Sequence, residues 1–175
     1  MDWVDHFDEV WVEDFEFTQP PGWRPTPLCY VARELRTSRL VRKWLVCPPN
    51  QRAGGPPYSL GDNSLVVTYF GAAEVMCRLA LGWQLPPNHI DLYAEFRLLT
   101  CGHPRPTGFG LVDALRWFGL DAMAAAEKEE MRALAMRDGP YTGQEQEALL
   151  AYCEEDVDAT AKLALVMIER IYLGH

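Results

Sequence analysis

The sequence predicts an α/β domain whose mixed central sheet, an antiparallel meander followed by parallel strands, is flanked by helices. Three observations carry that expectation. An apolar stretch with period-two alternation, Glu9 to Phe17, opens the chain and is followed by two more short strand patterns. A near-continuous apolar run, Leu65-Val66-Val67-Thr68-Tyr69-Phe70, has the look of a parallel strand buried on both faces, and a helical pattern starts directly after it. Everything beyond Gly110 reads as helix. Strands first, then a strand-helix-strand unit, then helices, is the order of an α/β fold, with the first strand central.

Taken in order, the first strand puts Val10, Val12, Asp14 and Glu16 on one face and Trp11, Phe15 and Phe17 on the other, because successive side chains alternate. Glu13 shares the aromatic face, and no role is read for it. After a Pro/Gly turn region at 20–27, Leu28 to Leu35 and Leu40 to Val46 complete the meander. Residues 47–63 carry too many Pro and Gly for regular structure and read as a long surface loop. Ala72 to Leu81 repeats apolar residues at helical spacing, and Gly82 is placed to end that helix. A brief strand at Ile90-Asp91-Leu92 precedes a helix over Tyr93 to Leu99. A second loop covers about 100–110. Helices then run from Leu111 to Phe118, from Ala122 to Met136 and from Gln144 to Ile171, the last as one element or two joined end to end.

At 175 residues and 49% hydrophobic, the chain suits one domain, residues 1–175, with a real core. No run of about 18 apolar residues occurs, and the N-terminus lacks the order of a signal peptide. The expectation is a soluble, cytoplasmic protein with no membrane partner. Five scattered cysteines without a C-x-x-C pair argue for buried free thiols over a disulfide framework or a zinc knuckle. A net charge of −9 excludes a generic nucleic-acid coating protein but not a nuclease whose acids are neutralised by metal ions. Arg33, Arg36, Arg39, Arg42 and Lys43 are the candidate phosphate grip, or else a solvated hairpin face.

Asp14 and Glu16 share a face of a largely apolar strand. Two like charges there repel and are costly to desolvate, which a divalent cation between them would relieve. Facing water from an edge strand is the other reading of so short a motif. Near the C-terminus, Tyr152 and Asp156 stand four apart, stacked on one face of a helix. His89 and His103 lie in or near loops, where a metal-ligand role is one reading and a plain surface residue the favoured one.

In this order, Asp-x-Glu on an early strand, an acid on a middle helix and Tyr-x-x-x-Asp on a late helix, the chain resembles the tyrosine branch of the DEDD superfamily of 3′ to 5′ exonucleases. The likeness is greatest to the proofreading domain of family A, DNA polymerase I-like enzymes, and runs from about Glu9 to Leu165. Its most specific part is Leu149-Leu150-Ala151-Tyr152-Cys153-Glu154-Glu155-Asp156-Val157-Asp158-Ala159-Thr160. The middle motif departs: the family's Asn, aromatic and Asp are replaced by Thr68-Tyr69-Phe70-Gly71-Ala72-Ala73-Glu74. No Asp occurs between Asp62 and Asp91, so Glu74 takes that place, with Asp91 as the reserve acid.

The resemblance implies a ribonuclease H-like fold and two Mg²⁺ or Mn²⁺ ions held by Asp14, Glu16, Glu74 and Asp156. It further implies that Tyr152 orients the attacking water and that Glu16 touches the 3′ end of the substrate. Unpaired bases stack on aromatics, so Tyr69 and Phe70 are candidate partners, or else core residues of their strand. The expected reaction is release of nucleoside 5′-monophosphates from a single-stranded or frayed DNA 3′ end, with a polymerase domain in cis or in trans as partner. RNA 3′-end trimming of the ribonuclease D kind is the alternative within the same chemistry. A structural or interaction module that kept the fold and lost efficient catalysis is the alternative outside it.

Overall fold

The computed structural model describes residues 6–46, 54–103, 107–121 and 125–171, without the side chains of 125–127. Its core is a five-stranded sheet of β1 (Glu9–Thr18), β2 (Thr26–Glu34), β3 (Leu40–Trp44), β4 (Ser64–Thr68) and β5 (His89–Asp91), in the order β3-β2-β1-β4-β5. β1 is central, as its pattern predicts. It pairs antiparallel with β2 and parallel with β4, and β4 pairs parallel with β5. The sheet is therefore the mixed, ribonuclease H-like one expected.

The alternation along β1 separates two apolar layers. Val10 and Val12 join the larger core, with Leu149, Cys153 and Val157 of α5 (Gly143–Met167) packed on that face. Trp11 and Phe15 face the smaller one, with Tyr30, Cys77 and Trp83, beside α1 (Gly71–Leu81). All five residues of β4 are buried, as a strand covered on both faces must be. The other helices are α2 (Leu92–Leu99), α3 (Leu111–Trp117) and α4 (Ala125–Met136). Gly82 ends α1 with φ +69°, a left-handed cap that suits glycine.

Several expectations need correction. β4 stops at Thr68, so Tyr69 and Phe70 leave the sheet as a turn, and Phe70 adopts φ +70° with 48% of its surface exposed. Of the predicted loop at 47–63, residues 47–53 lie outside the described ones, and the remainder is not all surface. Tyr58 is buried there, stacked on Trp11 with ring centroids 4.4 Å apart. Residues 104–106 of the second loop and 122–124 before α4 also lie outside. The long C-terminal helix ends at Met167 and tightens into a 3₁₀ turn over Ile168–Arg170. His89 is half-buried in β5, its Nε2 2.8 Å from Thr68 Oγ1, and Cys101 is exposed. Among the described residues no helix is long and apolar enough to cross a membrane.

Candidate active site

β4 pairs with β1 only as far as Val12, so the Asp14-to-Glu16 end of β1 runs past its parallel neighbour. The gap opens at the carboxyl ends of the parallel strands, where open α/β sheets place their ligand crevices. An open cleft of about 520 Å³ lies there, and Asp14, Glu16, Glu74, Tyr152 and Asp156 all line it. β1 supplies the first two, the first turn of α1 the third, and one face of α5 the last two. Tyr69 and Phe70 form another part of the wall. A second cleft of about 540 Å³ shares Tyr69, Phe70, Arg132, Tyr152 and Asp156 and adds Tyr93, Phe109 and Lys128.

The electrostatics are those of anions held together without enough countercharge. Burial, reinforced by the Asp156 carboxylate, pushes Asp14 up to about 8. Burial and the neighbouring Asp14 charge raise Glu16 well above the usual carboxylate range. Glu74 is raised too, by burial first and then by Asp14, Glu13 and Glu16. Its residue surface is only 3% exposed, and its Oε2 has no hydrogen-bond partner, the kind of orphaned group that native structures rarely tolerate without a ligand. Oxygens of Asp14 and Glu16 and the Cys153 sulfur lie within 4.8 Å of one another. Asp14 and Glu16 supply hard oxygen donors at this spacing, and Glu74 adds a buried, unsatisfied oxygen to the same cleft, a donor set whose chemistry suits Mg²⁺ or Mn²⁺.

Asp91 is not brought into this set. Its Oδ1 accepts from the Tyr93 backbone N–H, capping α2, and from the Phe70 N–H, each at 3.0 Å. The second bond anchors Phe70 in a backbone region that costs a non-glycine residue free energy. Asp91 thereby holds an exposed aromatic at the cleft, its ring edge-on to Tyr93 at 5.1 Å. The basic run is corrected as well. Arg33 pairs with Glu154 and Asp158, Arg42 with Glu147 and Glu154, and Arg39 with Glu9, so these arginines bind the sheet to α5 and to β1. They are not a free phosphate grip.

Four residues with a part in the site carry no local signal strong enough to single them out. Glu13 is buried behind Asp14 and paired with Arg78, whose Nε and Nη2 donate to its two oxygens at 2.7 and 2.6 Å. Tyr30 and Tyr58 donate to it as well. Burial opposes the Arg78 charge, but Glu13 outweighs it and raises the guanidinium above its ordinary value. Lys128 and Arg132, one turn apart on α4, both reach the clefts, and Lys128 Nζ donates to Asp156 Oδ1 at 2.5 Å. The helical stripe Leu149, Cys153, Val157 does mark Cys153 as inward-facing; its thiol donates to Asp14 Oδ2 at 3.3 Å.

No protein-family model and no curated protein sequence matches the chain. The EXO domain of Aedes aegypti Nibbler superposes with a TM-score of 0.54 at 10% identity, covering 89% of this chain and 79% of that one. Escherichia coli RNase D, an exoribonuclease involved in structured RNA processing, gives a TM-score of 0.54 at 18% identity over 93% of this chain but only 40% of its own. A nuclease in its apo form gives 0.58 at 12% identity, covering 95% of this chain and 77% of that one. The likeness is one of fold: a ribonuclease H-like α/β protein of the EXO-domain architecture.

Proposed function

We propose that the protein is a metal-dependent 3′ to 5′ exonuclease that releases nucleoside 5′-monophosphates from single-stranded or frayed 3′ ends. The observation that carries the reading is the meeting of Asp14, Glu16, Glu74, Tyr152 and Asp156, from three distant stretches of chain, on one cleft where Glu74 keeps a buried oxygen without a partner. The fold shared with RNase D and the Nibbler EXO domain supports it.

Asp14, Glu16 and Glu74 would hold Mg²⁺ or Mn²⁺, with Asp156 across the cleft; the resemblance to DEDD exonucleases implies two ions among the four. Bound there, such ions polarise the phosphodiester and make water a nucleophile near neutral pH. Hydrolysis adds that water at the terminal phosphorus and breaks its bond to the 3′ oxygen of the preceding nucleotide, which leaves as a hydroxyl. Burial, with the Asp156 charge, raises Tyr152 and keeps its phenol protonated, fit to orient the water. Phe70, Tyr69 and Tyr93 offer ring faces and edges to unpaired bases, and Glu16 contacts the 3′ end.

DNA, in a proofreading setting with a polymerase domain in cis or in trans, follows from the sequence resemblance. RNA 3′-end trimming follows equally from the likeness to an exoribonuclease. Matched 3′-labelled DNA and RNA single strands, incubated side by side with Mg²⁺ or Mn²⁺, test both. Release of mononucleotides is expected, and its loss in Asp14→Ala and Asp156→Ala. Wild-type rates in both variants would sink the assignment, and an inert wild type on both substrates would favour the module that lost catalysis.

A further inference from the structure

Among the described residues, Asp156 is the one acid of the cleft that has a cation bonded to it. Lys128 Nζ stands 2.5 Å from its Oδ1, and both side chains are largely shielded, 21% and 15% exposed. The same ammonium lies over the Tyr152 ring, 5.5 Å from its centroid, so one residue touches both members of the Tyr-x-x-x-Asp pair. Arg33 and Arg42 engage the other side of α5 and do not compete for it. α4 packs against both α5 and β1, which fixes the lysine over the cleft and away from bulk solvent.

We propose that the Lys128 ammonium is a built-in cation of this site, seated on Asp156 beside Tyr152, so that the cleft takes up one divalent ion and the lysine supplies the second positive charge facing the phosphate. This rests on the exonuclease reading above and departs from the ion pair its resemblance implies. Mg²⁺ binds carboxylate oxygen at about 2.1 Å; an ammonium in contact with Oδ1 fills the approach to that oxygen, and its positive charge beside Oδ2 disfavours a dication there. The unmet demand for positive charge lies with Asp14, Glu16 and the orphaned Glu74 Oε2, which have no ammonium or guanidinium bonded to them among the described residues. A lysine is suited to the task, being a compact point charge that needs no planar, bidentate partner. It opposes charge on the phosphate and does not replace the water-activating ion.

Calorimetric titration of the metal-free full chain with MnCl₂ tests this, with mononucleotide release from 3′-labelled single-stranded DNA and RNA followed in parallel. One ion per chain is expected for the wild type and for Lys128→Arg, and two for Lys128→Met, which frees Asp156. Release by Lys128→Met at one equivalent of Mn²⁺ should fall by roughly 10²-fold, the scale of one lost transition-state charge contact, and recover as Mn²⁺ is raised. Circular dichroism verifies the fold of each variant; should Lys128→Met fail to fold, wild type and Lys128→Arg decide. Two ions in the wild type, or an unchanged stoichiometry in folded Lys128→Met, overturn the proposal while mononucleotide release leaves the exonuclease reading intact. No ion and no release in the wild type would overturn both.

Discussion

Replacing Arg78 by Met would leave Glu13 as a buried anion behind the acid cluster. Arg78 and Glu13 are each 1% exposed, and Arg78 makes four hydrogen bonds: two to Glu13, one to the Gln84 carbonyl at 3.0 Å and one to the Tyr58 hydroxyl at 2.6 Å. Removing one partner of a buried, hydrogen-bonded pair costs about 3–5 kcal/mol, because the surviving charge loses its compensation. Tyr30 and Tyr58 keep donating to Glu13 and place the expected loss near the middle, about 4 kcal/mol. For a chain of this size that corresponds to a fall in Tm of roughly 8–16 °C. Urea unfolding followed by circular dichroism measures it. The double variant Glu13→Leu with Arg78→Met should recover much of the loss, since no lone charge is left. A cost below about 1 kcal/mol for Arg78→Met, or a double variant worse than the sum of its singles, would refute the assignment of this pair as a buried ionic clamp between β1 and α1.

Three further outcomes follow from the geometry. Asp14, Glu16 and Glu74 are all raised, so the folded, metal-free chain holds protons that the unfolded chain releases above its carboxylate range, near 3.8 for Asp14. Their contribution to stability is whole below that value and is lost as pH rises toward about 8, so the metal-free Tm should fall between pH 5 and 8 and saturating Mn²⁺ should oppose the fall; a flat profile contradicts this. Glu74→Asp should retain or raise mononucleotide release and Glu74→Ala should lose it, whereas Asp91→Ala should cost about 1 kcal/mol of stability through its cap and leave the requirement for Glu74 in place. Arg132→Ala should weaken binding of an oligonucleotide 3′ end and reduce the salt dependence of that binding by about one unit of slope, as measured by fluorescence anisotropy across salt concentrations.

What the sequence discloses here is periodic, and what it hides is pairwise. The central strand, its two faces and the buried parallel strand are legible because burial on one face or both writes a period of two or an unbroken apolar run into consecutive residues. Glu74 is legible only through the family resemblance, which asks for an acid in a stretch where no other lies between Asp62 and Asp91. Glu13 is not: its partners Arg78 and Tyr58 are 65 and 45 residues away, and an acid on an aromatic face looks the same whether it is paired or misplaced. Phe70 reads as strand because its neighbours are apolar, yet the strand yields at Thr68 to a left-handed residue tied to Asp91, which no composition signal records.

Charge runs mislead for the same reason. Five basic residues within eleven look like a grip for phosphate until α5 folds onto β2 and β3 and presents Glu147, Glu154 and Asp158 to Arg33 and Arg42, while Arg39 turns to Glu9 of β1. Lys128 and Arg132 sit in a stretch whose Ala, Glu and Met announce only a helix. That helix nevertheless brings cations to the cleft, while Arg33 and Arg42 of the conspicuous basic stretch hold the sheet to α5. The net charge of −9 thus conceals a local arrangement in which acids collect at one end of β1 and two cations on a single helical turn face them. On the exonuclease reading proposed above, these two cations, and not a broad basic surface, would meet the terminal phosphate.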